Sequence, residues 1–268
     1  MSHLTDEQIK FLKSKANEIR QDIISMLLEA KSGHSAGPLG MADIFTVLYF
    51  TDAVKHDPKN PSWEGRDRIV LSNGHICPVL YAAMAHAEYF PTKELKTLRK
   101  YGSRLQGHPH REALPGLETS SGPLGSGLSQ ACGMAYAFNL DDKNPPAGGQ
   151  VYCLMGDGEL DCGQGWEAIM WAGKNKLDNL TAIVDRNNIQ IDGFTEDVMP
   201  LEPLRDKFES FGWHVIEVDG NNIEEFYNAI FKAKAIFEKP VCIIAHTIPG
   251  KGVDFMEFKF EWHGKPPN

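Results

Sequence analysis

From Thr5 to about Ala30, apolar residues return at helical spacing: Ile9, Leu12, Ile19, Ile23, Ile24, Leu27 and Leu28 fall on one stripe. The start, Thr5-x-x-Gln8, has the form of a capping box, so the pattern predicts a long amphipathic helix. SGHSAGPLG then breaks the periodicity with glycines and Pro38, and MADIFTVLYF resumes it. RIVLS, Arg68 to Ser72, reads as a strand that ends in NGH, and PVLYAAMAHAEYF reads as a helix. The stretch from Gly102 to Gly127 is rich in Gly, Pro and Ser, and Gly127 to Phe138 is helical in pattern.

The second half alternates regularly. Strand VYCLM is followed by a helix from about Gly163 to Asn175, strand LTAIVD by a helix from Pro203 to Phe211, and strand WHVIEV by a helix from Ile223 to Ile236 before strand PVCIIAHT. Strands separated by helices imply right-handed crossovers and a parallel sheet flanked by helices, so the fold class is α/β. Ligands of such sheets lie beyond the carboxyl ends of the strands. Here polar, Gly-rich turns follow nearly every strand: SNGH, GDGE, DRNNIQIDG, DGNN and HTIPGKG.

A chain of 268 residues with 42% apolar content can bury one substantial core, so a single domain over residues 1–268 is expected. The net charge of -9 lacks the clustered Lys and Arg of a nucleic-acid surface. No run reaches the roughly 18 apolar residues of a membrane span, and the polar start MSHLTDEQIKFLKSK is unlike a signal peptide, which points to a cytoplasmic location. Five widely spaced cysteines, with no C-x-x-C pair, read as reduced thiols and not as a zinc site.

Asp157 follows one strand and Asn187 the next, with one crossover helix between them. If the strands are neighbours, a carboxylate, an amide oxygen and a loop carbonyl meet at one sheet edge. That set suits Mg²⁺ or a similar hard cation completed by phosphate oxygens. Gly156 and Gly158 would let the backbone approach an anion closely, and N–H groups at the next helix start could meet a diphosphate. Gly-Asp-Gly is also a common plain turn; the second strand ending in DRNN is what turns the reading toward a site. Four histidines, His34, His75, His108 and His263, lie in Gly- or Pro-rich loops and could move protons, although a lone histidine is more often structural.

GDG followed by Asn about thirty residues later resembles the thiamine diphosphate motif, and GDGELDCGQGWEAIMWAGKNKLDNLTAIVDRNNIQIDG resembles its transketolase form. KSGHSAGPLGMADI, RDRIVLSNGH, QGHPHREALPGLETSSGPLGSGLSQACGMA, HTIPGKG and WHG are similar to that family in the same order, over nearly the whole chain. The resemblance implies thiamine diphosphate with Mg²⁺ (or Ca²⁺ or Mn²⁺). It implies metal ligands at Asp157, Asn187 and the carbonyl of Ile189. Cofactor contacts are implied at His75, Gly122, Pro123, Leu124, Gly156, Asp157, Gly158, Glu159, Asn187, Ile191 and His263. Catalytic roles fall to His34, His75, His108 and His263, and Lys251 would approach the mouth of the site. Glu167 matches a member of the family's acidic interface network, whereas Cys162 stands where transketolases usually carry the second glutamate.

The implied activity is transfer of a two-carbon ketol unit from a ketose phosphate to an aldose phosphate. Only the first, diphosphate-binding domain of a complete transketolase is matched. The resemblance places the pyrimidine-binding and C-terminal domains, with the glutamate that activates the aminopyrimidine, outside this chain, and they are expected to be absent from it. The chain is therefore expected to be the N-terminal subunit of a split enzyme, joined by a separate pyrimidine-binding subunit in an α2β2 heterotetramer, or else a fragment. The alternatives are an α-type subunit of a 2-oxo acid dehydrogenase, a deoxyxylulose phosphate synthase-like chain, or a non-catalytic paralogue.

Overall fold

A computed structural model describes residues 3–140 and 149–268; the first two residues of the polar start lie outside the described residues. The capping box expected at Thr5 is formed: its hydroxyl accepts from the Gln8 N–H, the Gln8 side chain accepts from the Thr5 N–H, and α1 runs Asp6–Ala30. After it come α2 (Ala36–Gly40), α3 (Ala42–Phe50), β1 (Arg68–Leu71), α4 (Cys77–His86), α5 (Ser126–Leu140), β2 (Val151–Gly156), α6 (Gly163–Lys174) and β3 (Leu180–Arg186). The chain continues through β4 (Ile189–Gln190), β5 (Gly193–Phe194), α7 (Thr195–Val198), α8 (Leu204–Ser210), β6 (His214–Asp219), α9 (Ile223–Lys234) and β7 (Val241–His246).

The main sheet is five-stranded, parallel throughout, in the order β1-β2-β3-β7-β6. Its two faces read directly from β2: Tyr152 and Leu154 join the core built with α1, α3, α4 and α9, while Val151, Cys153 and Met155 join the core built with α5, α6 and α8. Central strands covered on both sides are apolar at consecutive positions, which is why VYCLM shows no alternation.

Three local features depart from the expectations. AGPLG forms α2 instead of a loop, because Pro38 sits in the first turn, where no N–H is required of it. The helix read through Phe90 stops at His86; the chain reverses at Glu88 (φ 68°), and Tyr89 turns back to hydrogen-bond His56. The helix expected from about Gly163 is formed as α6, with a 3-10 turn, Gly158–Asp161, between it and GDG. IQIDGF folds as the small β4-β5 hairpin, too short to register as a periodic pattern.

The first and last segments of the fold are bolted together. The Ser35 hydroxyl donates to the carbonyl of Lys265 (2.5 Å) and the N–H of Gly250 to the carbonyl of Ala36 (2.9 Å). Arg20 on α1 forms a buried ion pair with Asp43 on α3 (2.5 Å), and Asn221 donates to Asp43 (2.9 Å) while accepting from the N–H of Ile248 (2.8 Å). These contacts fix the loop after β7 against the loop that carries His34.

Candidate active site

The ends of β1, β2 and β3 converge, with the N–H of Asp157 donating to the carbonyl of Asp185 (3.2 Å). Above them opens a cavity of about 360 Å³, within the range of small-molecule sites. His34, His75, His108, Gly122, Leu124, Gly156, Asp157, Gly158, Glu159, Asn187, Ile189, Ile191 and His263 all line it. Loops far apart in sequence therefore share one chamber. Asn73, Asp185, Gln190 and Asp192 also line it and had no role assigned from sequence. Asn73 and Asp185 were legible as the polar residues of SNGH and DRNN at strand ends.

Pro123 does not line the cavity; it is exposed, and its carbonyl accepts from the Ser126 hydroxyl (2.7 Å). Lys251 is likewise outside the lining, its ammonium 3.9 Å from Asp43, because the PGKG loop is turned toward the buried Arg20 pair. Glu167 lines a separate hollow with Ser129, Cys132 and Trp171, whereas Cys162 caps α6 and packs beneath Gly125. The acidic pair expected from the family is thus a solvent-facing carboxylate and a half-buried thiol. Burial, and then the nearby Glu159 and Asp161, push that thiol up, which keeps it neutral.

Three imidazoles form a cluster, with ring centroids 4.8 Å apart for His34 and His75, 5.1 Å for His75 and His263, and 5.5 Å for His34 and His263. His108 packs over Gly74, where an added Cβ would lie 3.2 Å from its ring and 2.1 Å from the Ser121 hydroxyl, so the SNGH turn needs its glycine. Burial, followed by the neighbouring His263, Arg99 and His108, lowers His34 to about 4. Burial also lowers His75, His108 and His263. At neutral pH all four are neutral rings, able to accept a hydroxyl proton or to donate one N–H.

The floor of the cavity is a dense acceptor network. Asp157 accepts from the N–H of Gly158 (2.7 Å) and of Asn188 (2.7 Å), from Arg186 (3.1 Å) and from the Thr195 hydroxyl (3.3 Å). Burial raises its carboxyl above the ordinary range, and Arg186 opposes that rise. Asp185, fully enclosed, is raised by burial to about 7. Glu159 accepts from the Ser72 hydroxyl, the N–H of Gly125 (2.6 Å) and the N–H of Gly156 (3.1 Å), clamping β1, the SGPLGSG loop and β2 together. The Gly156 and Gly158 N–H groups are thereby both engaged inside the protein, and what these glycines offer a ligand is close approach.

The chamber carries the marks of a bound group. Both amide atoms of Asn73 and the Nδ1 atoms of His34 and His263 are buried without a hydrogen-bond partner. Groups of this kind are usually paired in a native protein. Gly122 faces open space, and Leu124 and Ile191 expose 37% and 68% of their surface. A ligand with polar and apolar parts satisfies all of these at once. Among the described residues no group of three or more His, Cys, Asp or Glu could hold a metal. The Asp157 carboxylate, the Asn187 amide oxygen and main-chain carbonyls at the cavity wall are oxygen donors of the kind that suits a hard ion.

Residues 12–267 match the family described as transketolase, thiamine diphosphate binding domain. The chain belongs to the transketolase N-terminal family. It is 43% identical over 260 residues to the 6-deoxy-6-sulfo-D-fructose transketolase subunit of Clostridium sp. (strain MSTE9), covering 97% of this chain and 92% of that one. It is 39% identical to an apulose-4-phosphate transketolase subunit of Phocaeicola vulgatus, covering 97% and 90%. Among solved structures, transketolase from Campylobacter jejuni superposes with a TM-score of 0.90 at 38% identity, covering 96% of this chain but 40% of that longer chain. The transketolase fold is therefore shown, and the named relatives support the ketol-transfer reading over the 2-oxo acid dehydrogenase and synthase alternatives.

Proposed function

We propose that this chain is the diphosphate-binding subunit of a split transketolase dependent on thiamine diphosphate and Mg²⁺. It moves a two-carbon ketol unit between sugar phosphates in the cytoplasm. A separate pyrimidine-binding subunit completes the site in an α2β2 assembly. The observation that carries the reading is the chamber itself, which has neutral imidazoles at one end and a hard-oxygen floor at the other. When bound, the cofactor supplies an electron sink for the carbanion left by cleavage of the ketose.

This chain's own residues bind, orient and move protons. His34, His108 and His263 face the space for the sugar and exchange protons with its hydroxyl and carbonyl oxygens. His75, Gly122, Leu124, Gly158 and Ile191 seat the cofactor, and Asn73, with both amide atoms unpaired, joins them. Asp157, Asn187 and the Ile189 carbonyl hold the cation, which shares or displaces the donors now on Asp157. Glu159 keeps the cofactor loop in register.

An anionic sugar fits the surroundings. Beside His108 lies a cleft of about 500 Å³ lined by Arg99, Lys100, His110 and several serines, with no carboxylate in its wall. Both of these relatives are named for sugars with an anionic end, a sulfonate in one and a phosphate in the other.

The test combines calorimetry with an assay. The chain and its partner subunit should bind thiamine diphosphate in a Mg²⁺-dependent manner and transfer ketol units from a ketose phosphate to an aldose. Absence of cofactor binding with and without the partner would refute the enzyme reading. Decarboxylation of a 2-oxo acid without ketol transfer would favour the α-type alternative.

A further inference from the structure

The cation floor has a support that lies outside the residues so far assigned to it. Thr247 follows β7 and Asp185 lies near the end of β3, and these two strands are paired, with Asp185 opposite Ala245 and Arg186 opposite His246. The Thr247 hydroxyl donates to one oxygen of Asp185, and the Asn187 amide nitrogen donates to the other (2.8 Å). Thr247 and Asp185 are 6% and 1% exposed.

An asparagine amide has two ends of nearly equal size and opposite polarity. Only one of them can face a cation. With its NH₂ spent on Asp185, Asn187 must turn its oxygen the other way, where it accepts from the N–H of Ile189 (3.0 Å) at the cavity wall. The far end of the chain of contacts is equally confined. At Gly220, after β6, an added Cβ would come within 2.7 Å of the Thr247 methyl, so the glycine leaves Thr247 the room to reach Asp185.

We propose that Thr247 and Asp185 are positioning residues for the cation, a relay that fixes the polarity of the Asn187 amide from the ends of two neighbouring strands. The inference rests on the proposed metal role of Asn187. Outer partners of this kind orient ligands, and their loss typically weakens metal binding by about 10- to 100-fold. Thr247→Val keeps the methyl that Gly220 accommodates and removes only the donor, while Thr247→Ser keeps the donor.

The measurement is a Mn²⁺ titration, followed by electron paramagnetic resonance, of the full chain with thiamine diphosphate and the partner subunit. Thr247→Val and Asp185→Asn should each weaken Mn²⁺ by about 10- to 100-fold, and Thr247→Ser should stay within about threefold of wild type. Thermal unfolding without metal identifies any variant that fails to fold. Wild-type Mn²⁺ affinity in a folded Thr247→Val or Asp185→Asn variant overturns the relay, as does equal weakening in Thr247→Ser. Asp157→Ala separates the two levels: if it binds Mn²⁺ as wild type does, or if wild type binds none, the metal site itself is wrong.

Discussion

At the scale of single residues, the sharpest handle is His34. Its value near 4 against an ordinary 6.5 means that between those limits the unfolded chain holds a proton that the folded chain refuses. The stability owed to the neutral ring is complete above about pH 6.5 and is lost as pH falls toward 4. Asp185, raised to about 7, contributes with the opposite sign over an overlapping window, because there the folded state holds the extra proton. The diagnostic quantity is therefore a difference: denaturation midpoints at pH 7, 6 and 5 should fall less steeply for His34→Gln than for the wild-type chain. Arg99 offers a second handle. Its guanidinium lies over Gly107, where an added Cβ would sit 2.9 Å from it, and no salt bridge engages it among the described residues. Arg99→Ala should raise KM for a phosphorylated ketose about tenfold or more while changing KM for an unphosphorylated one little, a comparison read from steady-state kinetics.

At the scale of elements, the approach of α6 to the segment after α8 is set by one glycine. A Cβ on Gly173 would stand 1.8 Å from the carbonyl oxygen of Phe211, and two residues on the Trp213 indole ties the same segment to α6 by donating to the Ile169 carbonyl (2.8 Å). Gly173→Ala should cost about 1–3 kcal/mol or more, visible by calorimetry as a melting point lower by several degrees. The elements themselves were largely legible. The stripe from Ile9 to Leu28 and the apolar runs of β2, β3 and β7 announce their own periods, because burial on one face or on two dictates them. So were most of the cavity residues, since chemistry placed at strand ends leaves polar, Gly-rich turns. What escaped depends on tertiary contact: Gln190 and Asp192 line the cavity beside the small β4-β5 hairpin, which no periodic pattern announces. Arg186 meets Asp157, Glu196 and Glu202 only in the folded loop. Pro123 and Lys251 lie outside the cavity lining, since a motif gives the position of a residue along the chain but not the direction of its side chain.

At the scale of the whole molecule, α5 and α6 turn an apolar face outward. Tyr136, Met170 and Trp171 are 38%, 54% and 40% exposed, with the Tyr136 and Trp171 rings 5.3 Å apart beside the hollow that contains Glu167. Under the proposed assembly this face meets a second copy of the chain. Trp171→Asp should then shift the mass measured by light scattering to a smaller species while circular dichroism stays unchanged. The bolt between the two ends of the fold bears on a different matter, the order in which the protein is made. Ser35 and Lys265, joined by a hydrogen bond, are 230 positions apart, and each lies next to or near a histidine of the cluster. On the ribosome the His34 loop emerges early and must wait, unpaired, until nearly all of the described chain has been synthesised. β7, which sits between β3 and β6, is itself made only at Val241–His246, so the sheet and the chamber are completed within the same late stretch of the described chain. Among the described residues, the contact that joins the His34 loop to the C-terminal segment thus forms in the same late step that joins β6 to the rest of the sheet, so sheet and site are built together.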